Sequence, residues 1–557
     1  MRISIVSTVV ASVFFLAGNV RSQNTAAPAY LNTSLPAEER APEHRALARS
    51  IAEKSMVLLK NDGTLPLTKP ALKIAVIGPL ADQKRYLLGN YNGRPTHIVS
   101  VLDGIKAEFP SAQITFVPGT QYLRAEGEPV PEGYLTTADG KPGMTEEFST
   151  GELFEEKRTV LATRNVSTVN YKAGDVPKEA VGKYPMRVEW NGYLTPAETA
   201  DYSIGLRMVG GFTRVQIDGK PTAQGWAGAD DGAQNHVGHI HLEKGKKVSV
   251  KVDYTQGSAG PGNAELIWSK YEPNPSREAI DAAEKADVVV AVLGITSELE
   301  GEEMPVSEPG FKGGDRTSLD LPKPEEDLLE AVTAAGRPVV LVLSNGSALS
   351  VNWAKEHVNA ILESWYPGEE GGTAIAETLS GKNNPAGRLP VTFYTGVDQL
   401  PPFEDYAMKG RTYRYFEGAP LYPFGYGLSY TKFSYSALTL PPQPIAAGDS
   451  LPVDVTVTNS GSGDGDEVVE LYLSFPNVPG APLRALRGFQ RVHLKTGESQ
   501  RVHFELKDRD LSMVTEAGHP VIADGQYTVA VGGGQPNTPA PVVSGSFRVS
   551  GTKELAE

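Results

Sequence analysis

The chain contains no cysteine. That absence excludes disulfides, zinc–thiolate sites and thiol nucleophiles. Long apolar runs are scarce: beyond the N-terminus none approaches the roughly 20 residues that a membrane-spanning helix needs. Basic charge is in deficit, with 52 Lys and Arg against 67 Asp and Glu and a net charge of −15. Nucleic acid and anionic membrane surfaces are bound by clustered Lys and Arg, so neither partner is expected. No G-x-S-x-G nucleophile elbow, no H-E-x-x-H zinc helix and no P-loop occurs, which sets those enzyme classes aside. Internal repeats and low-complexity tracts are missing as well.

What is present indicates several globular domains. A chain of 557 residues predicts three or four. Its 58 Gly and 42 Pro with 21% charged residues suit a loop-rich, sheet-rich protein. Residues 1–22 read as a secretory signal: Met1-Arg2 is a short basic stretch, "ISIVSTVVASVFFLAG" is apolar, and Val20 and Ser22 precede a plausible cut. The expected location is the periplasm or exterior of a bacterium, with an uncleaved anchor as the alternative.

Residues 43–120 and 273–432 share one rhythm. The segment "EHRALARSIAEKSMVLLKNDG" reads as helical, and "KIAVIGP" and "QITFVPG" read as buried strands around "VSVLDGIKAEFP". The pattern resumes with "SREAIDAAEKA", "DVVVAVLG", "PEEDLLEAVTAAG" and "RPVVLVLSNG". Alternating apolar strands and amphipathic helices predict a parallel α/β sheet. Residues 121–272 instead alternate with period two between Gly, Pro and Asp turns, as in "MRVEWNGYLTP" and "KKVSVKVDYTQG", which predicts an inserted antiparallel domain. Residues 433–550 are again short alternating strands, expected to form an immunoglobulin-like or fibronectin-like sandwich. Residues 23–42 are left as a linker.

Chemistry concentrates in "ELEGEEMPVSEPGFKGGDRTSLDLP", where Glu298, Glu300, Glu302 and Glu303 crowd together ahead of Asp315-Arg316. The cluster follows the strand "DVVVAVLG", at the carboxyl edge where open α/β sheets bind ligands. The loop from Ile295 to Leu321 is long, as functional loops are. A solvated acidic loop is the plain alternative, and spacing alone assigns no role.

A resemblance does. "KSMVLLKNDGTLPL", "LLGNYNG", "GGDRTSLDLP", "VLSNGSALSVNW", "WYPGEEGGTAIAETLSG", "NPAGRLPVTF", "KGRTYRYFEGAPLYPFGYGLSY" and "DGDEVVELYL" occur in order and resemble the C-terminal part of glycoside hydrolase family 3, the β-glucosidases and β-xylosidases. The likeness runs from about Glu43 to Val549. It implies a multidomain fold: an α/β sandwich domain interrupted by an all-β PA14-like domain and followed by a fibronectin type III-like β sandwich. It also implies a retaining mechanism with two carboxyl groups about 5 Å apart. Mapped onto "LEGEE", the acid/base is Glu300, with Glu302 as runner-up. Asp315 and Arg316 are expected to order the loop, and Glu298 and Glu303 to be solvated.

The family's nucleophile is an Asp on an N-terminal (β/α)8 barrel, a domain of about 250 residues. Here "YLNTSLPAEERA" resembles the segment leading into the barrel and is followed at once by the segment that leaves it. No Asp of this chain stands out as a substitute: Asp287 opens a buried strand, Asp315 belongs to the "DR" pair and Asp320 precedes a helix. Three readings result. The chain is a barrel-less family member, inactive alone or completed by a separate barrel-bearing chain; a non-catalytic glycan-binding or scaffold protein; or a truncated gene product. The expected small-molecule partner is a β-linked oligosaccharide or aryl glycoside.

No cofactor and no metal are expected. His239 and His241 would share one strand face, but no third ligand is set by spacing. Val209, Gly210 and Gly211 occupy the place of the calcium-binding acids of sugar-binding PA14 modules, and Asp230-Asp231 suits a turn. Trp226, in "QGWAGADDG", is the best candidate for stacking on a sugar.

Overall fold

The computed structural model describes residues 37–69, 71–93, 95, 97–120, 127–151, 158–228, 233–270, 276–303, 306, 308–476 and 478–556. The signal-like segment, most of the linker and Asp230-Asp231 lie outside these residues. The chain divides into a unit ending at Leu47 and a unit from Ala48 to Glu557. All that follows concerns the second unit.

Helix α1 (Ala37–Ser55) runs into it and stops before strand β1 (Val57–Asn61). The helical reading of this whole segment is therefore corrected for its last third. Val57 and Leu58 are fully buried and Leu59 is 1% exposed, so the run is apolar on all sides. A one-sided helix cannot accommodate that, whereas a strand inside a sheet can.

The remaining elements of the α/β domain are β2 (Lys73–Ile77), α2 (Val101–Glu108), β3 (Gln113–Val117), α3 (Arg277–Lys285), β4 (Val288–Gly294), α4 (Lys323–Thr333), β5 (Val339–Ser344), α5 (Asn352–His357), β6 (Ala360–Glu363) and α6 (Gly371–Ser380). The sheet order is β1-β6-β5-β4-β2-β3, parallel throughout except for β1, which pairs antiparallel with β6. Every residue of β4 is buried, as a strand covered on both faces requires. One face packs on α3, α4 and α5, the other on α1, α2 and α6. Ser100 caps α2 by accepting the Asp103 amide at 3.1 Å, and Ser276 caps α3 through Ala279 at 3.2 Å. The strand-opening Asp287 accepts the Lys73 amide at 2.8 Å, a structural latch between β4 and β2.

Between β3 and α3 lies an all-antiparallel β domain of two sheets, with strands from Glu128 to Lys270. Their inner faces enclose Phe148, Tyr171, Trp190, Ile204, Val252 and Tyr254. Trp190 is fully buried and its indole N–H donates to Glu146 at 3.0 Å, which gives a buried polar tip its partner. The last domain packs a three-stranded sheet (433–439, 451–459, 499–506) on a five-stranded one (445–446, 465–474, 485–494, 525–532, 542–550). Alternating inward residues such as Val453, Val455 and Val457 fill the space between them. Among the described residues no helix is long and apolar enough to cross a membrane.

Candidate active site

The carboxyl edge of the parallel sheet is where loops from several strands meet. After β4 the chain turns at Thr296, whose carbonyl accepts the amides of Leu299 and Glu300 at 3.0 and 3.1 Å. The Gly301 amide then bonds Gly314 O at 3.1 Å, closing the two arms of the acidic loop on each other. A short hairpin, Phe311–Lys312 with Asp315–Arg316, forms the returning arm.

Contacts remote in sequence hold this loop. Asn90 donates to Glu300 O at 3.0 Å, the Ser297 hydroxyl to Leu88 O at 3.2 Å, and Tyr91 to the Glu302 carboxylate at 2.8 Å. Arg85 pairs with Glu298 at 3.0 Å while both side chains stay about half exposed, so Glu298 is solvated and carries a surface ion pair to the loop after β2. Glu303 is exposed, in the left-handed region at φ 48°. Arg316 donates to Ser318 O at 2.9 Å and to the Ser347 hydroxyl at 3.0 Å, and lies 5.4 Å over the Phe311 ring. It therefore ties the acidic loop to the loop after β5. Asp320 accepts the Ser318 hydroxyl at 2.6 Å, a turn contact.

Glu300 sits deepest of the four clustered acids. Its Oε2 is buried and has no hydrogen-bond partner among the described residues, whereas Glu302 is exposed and occupied by Tyr91. Tyr366, after β6, lies close enough that the Glu300 charge, second to burial, raises its hydroxyl pKa. The Tyr366 ring is received by Gly89 and Gly346; a Cβ on Gly346 would stand 2.9 Å from it. Behind this layer Glu363 ends β6, accepting Trp365 N at 2.9 Å and Asn345 Nδ2 at 3.0 Å, and burial pushes its carboxyl up to about 8. Glu308, which the sequence did not single out, is pushed up to about 7 by burial.

The inserted domain comes up beside the loop after β2. His236 is pushed down to about 4 by burial first and then by the charge of Arg85, and its ring bonds the Trp226 backbone. The Trp226 indole itself is 59% exposed and rests on Phe212 with ring centres 4.8 Å apart. His239 faces Ser203 at 3.2 Å and His241 faces Asp201 at 2.8 Å. Among the described residues no group of side chains is arranged to hold a metal ion.

Residues 56–430 match the model of the glycosyl hydrolase family 3 C-terminal domain. The chain belongs to glycosyl hydrolase family 3. Residues 467–535 match a fibronectin type III-like domain. Among family 3 relatives, a xylan 1,4-β-xylosidase of Xylanibacter ruminicola is 36% identical over 486 residues, covering 84% of this chain and 53% of that protein. A probable β-glucosidase I of Aspergillus terreus is 30% identical over 554 residues, 92% of this chain and 64% of its own length. Solved structures agree: a β-glucosidase from Streptomyces venezuelae in complex with D-glucose has a TM-score of 0.68 at 27% identity, covering 93% of this chain and 62% of that one. A β-glucosidase from Kluyveromyces marxianus in complex with glucose has a TM-score of 0.63 at 26% identity, covering 93% and 64%. The chain thus spans between about half and two thirds of the length of these relatives.

Proposed function

We propose that this chain carries the acid/base half of a retaining β-glycosidase acting on β-glucosides or β-xylosides, with Glu300 as the proton donor and acceptor. The observation that carries the reading is the Glu300 carboxyl at the carboxyl edge of β4, with a buried oxygen that has no hydrogen-bond partner among the described residues. In the reaction Glu300 would protonate the leaving oxygen and then take a proton from the attacking water. Asn90, Gly301 and Arg316 hold the backbone that presents it. The second carboxylate, the nucleophile, is expected on a (β/α)8 barrel, and no such barrel occurs among the described residues. Without that carboxylate no glycosyl-enzyme intermediate forms, and an acid alone recovers only a small part of the rate. On this reading residues 1–22 direct export, and the inserted domain is a PA14-like module bordering the substrate.

The test is turnover of aryl β-glucosides and β-xylosides by the purified chain, alone and mixed with a barrel domain from a family relative. The expected result is no turnover alone and turnover in the mixture that Glu300→Gln abolishes. Turnover by the chain alone would place a nucleophile within it. Turnover in the mixture that is indifferent to Glu300→Gln would remove Glu300 from the role. The exposed Trp226, resting on the buried Phe212, supports a second reading, a glycan-binding protein; there, oligosaccharide affinity would fall on Trp226→Ala while Glu300→Gln left it unchanged.

A further inference from the structure

Beside the Arg388–Glu467 pair, the seam between the α/β domain and the C-terminal sandwich holds arginines that form no salt bridge among the described residues. The short helix Thr412–Tyr415 is fastened to the sandwich by Leu483 N donating to Arg414 O at 2.8 Å and Leu486 N donating to the Tyr413 hydroxyl at 3.1 Å. Arg414 and Arg487 are thereby drawn together. Arg414 lies 5.8 Å over the Tyr415 ring, and Arg487 lies 5.4 Å over Phe475. The Nε of each is buried and has no hydrogen-bond partner among the described residues. Arg487 spends one other N–H on Ser512 O at 2.6 Å, and the Arg414 guanidinium has no hydrogen bond to a described residue. Arg484, on the same seam, bonds the neutral Gln535 at 2.9 Å. The acid whose charge acts on Arg487 is Asp510, one oxygen of which accepts Lys507 N at 2.8 Å.

Two like charges with buried, unused donors cost free energy unless an acceptor joins them. Burial, and then the Arg414 charge, holds the Arg487 guanidinium below its ordinary pKa, which agrees with an uncompensated pair. Aromatic faces beneath both guanidiniums leave the fork edges as the open directions, and a fork edge matches a carboxylate, phosphate or sulfate. Both side chains remain partly exposed, so a ligand can reach them. In a chain of net charge −15 a cationic pair that forms no salt bridge among the described residues is not explained by bulk composition.

We infer that Arg414 and Arg487 form a binding site for a small oxyanion at the domain seam, separate from the acidic loop. The inference does not depend on the glycosidase reading. It is tested on the full chain by calorimetric titration with sodium sulfate, inorganic phosphate and glucuronate, against sodium chloride and glucose at matched ionic strength. The expected result is saturable binding of at least one oxyanion, weakened about tenfold or more in Arg487→Gln and in Arg414→Gln. Preference for glucuronate would identify an acidic sugar as the source; preference for phosphate or sulfate would identify a free inorganic ion or its ester. Since Arg487 also supports Ser512, Arg414→Gln is the variant that leaves protein hydrogen bonds untouched. Absence of saturable binding, or equal binding by the parent and Arg414→Gln, would overturn the inference.

Discussion

At the scale of single residues, burial rather than charge pairing sets the behaviour of the carboxyls beneath the site. Glu325 is fully buried; one oxygen accepts the Gly294 amide at 2.6 Å, the other has no hydrogen-bond partner among the described residues, and its carboxyl is pushed up to about 8. A folded pKa above the unfolded one means that the folded chain holds the proton more tightly. Stability is then fully present below about pH 4.3, where the unfolded group also keeps its proton, and falls as pH rises toward 8. Glu325→Gln keeps an acceptor for Gly294 and cannot ionise. Relative to the parent it should gain at least about 1.4 kcal/mol, one pKa unit's worth, between pH 5 and pH 8 in urea unfolding. An unchanged difference between the two pH values would show that Glu325 titrates normally. The acidic loop shows how much of a site can be legible from residue types. That it contains acids at a sheet edge could be seen in "ELEGEE", but which acid is buried could not. Its partners Arg85, Asn90 and Tyr91 lie 213, 210 and 211 residues from the groups they bind, and spacing carries no signal over that range.

At the scale of elements, apolar strands announced themselves and short close contacts did not. The run "DVVVAVLG" is β-branched and uncharged after its Asp, which only a strand covered on both faces tolerates, and β4 is that strand. "VLLKN" was masked by the helix that precedes it, because three apolar residues after a helical stretch fit either period. The approach of α2 to α6 was equally silent, although it rests on two glycines. A Cβ on Gly104 would stand 2.1 Å from Gly372 O, and one on Gly372 would stand 2.0 Å from Ser100 O. Gly104→Ala gains up to about 1 kcal/mol of helix propensity. The overlap is with backbone, which cannot rotate away, so overpacking of about 1–3 kcal/mol should prevail. The variant should melt below the parent; a higher melting temperature would mean that the helices can separate at little cost.

At the scale of the whole unit, the sandwich is joined to the α/β domain by buried charge. Arg388 donates to Glu467 at 2.7 Å and to Gly533 O at 3.1 Å, with the paired side chains 8% and 2% exposed. Removing the cation leaves Glu467 buried without its counter-charge, a loss of about 3–5 kcal/mol. Arg388→Met should therefore lower the melting temperature and expose the seam to limited proteolysis. Cleavage no faster than in the parent would mean that the domains hold together without this pair. The same seam carries Arg414 and Arg487, so the sandwich fixes the geometry of the inferred oxyanion site as well as covering the domain.

The central claim, that Glu300 is the acid/base, concerns a proton given to a leaving group. Its most direct measurement uses catalytically competent mixtures of this chain with a barrel domain, comparing phenyl with p-nitrophenyl glycosides for Glu300→Gln, Glu302→Gln and Glu308→Gln. Loss of a general acid hurts a poor leaving group more than a good one. The account predicts that Glu300→Gln lowers kcat/KM by about 100-fold or more on the phenyl glycoside and much less on the p-nitrophenyl glycoside, with Glu302→Gln and Glu308→Gln near the parent on both. If the leaving-group dependence follows Glu308 or Glu302 and spares Glu300, the assignment is wrong.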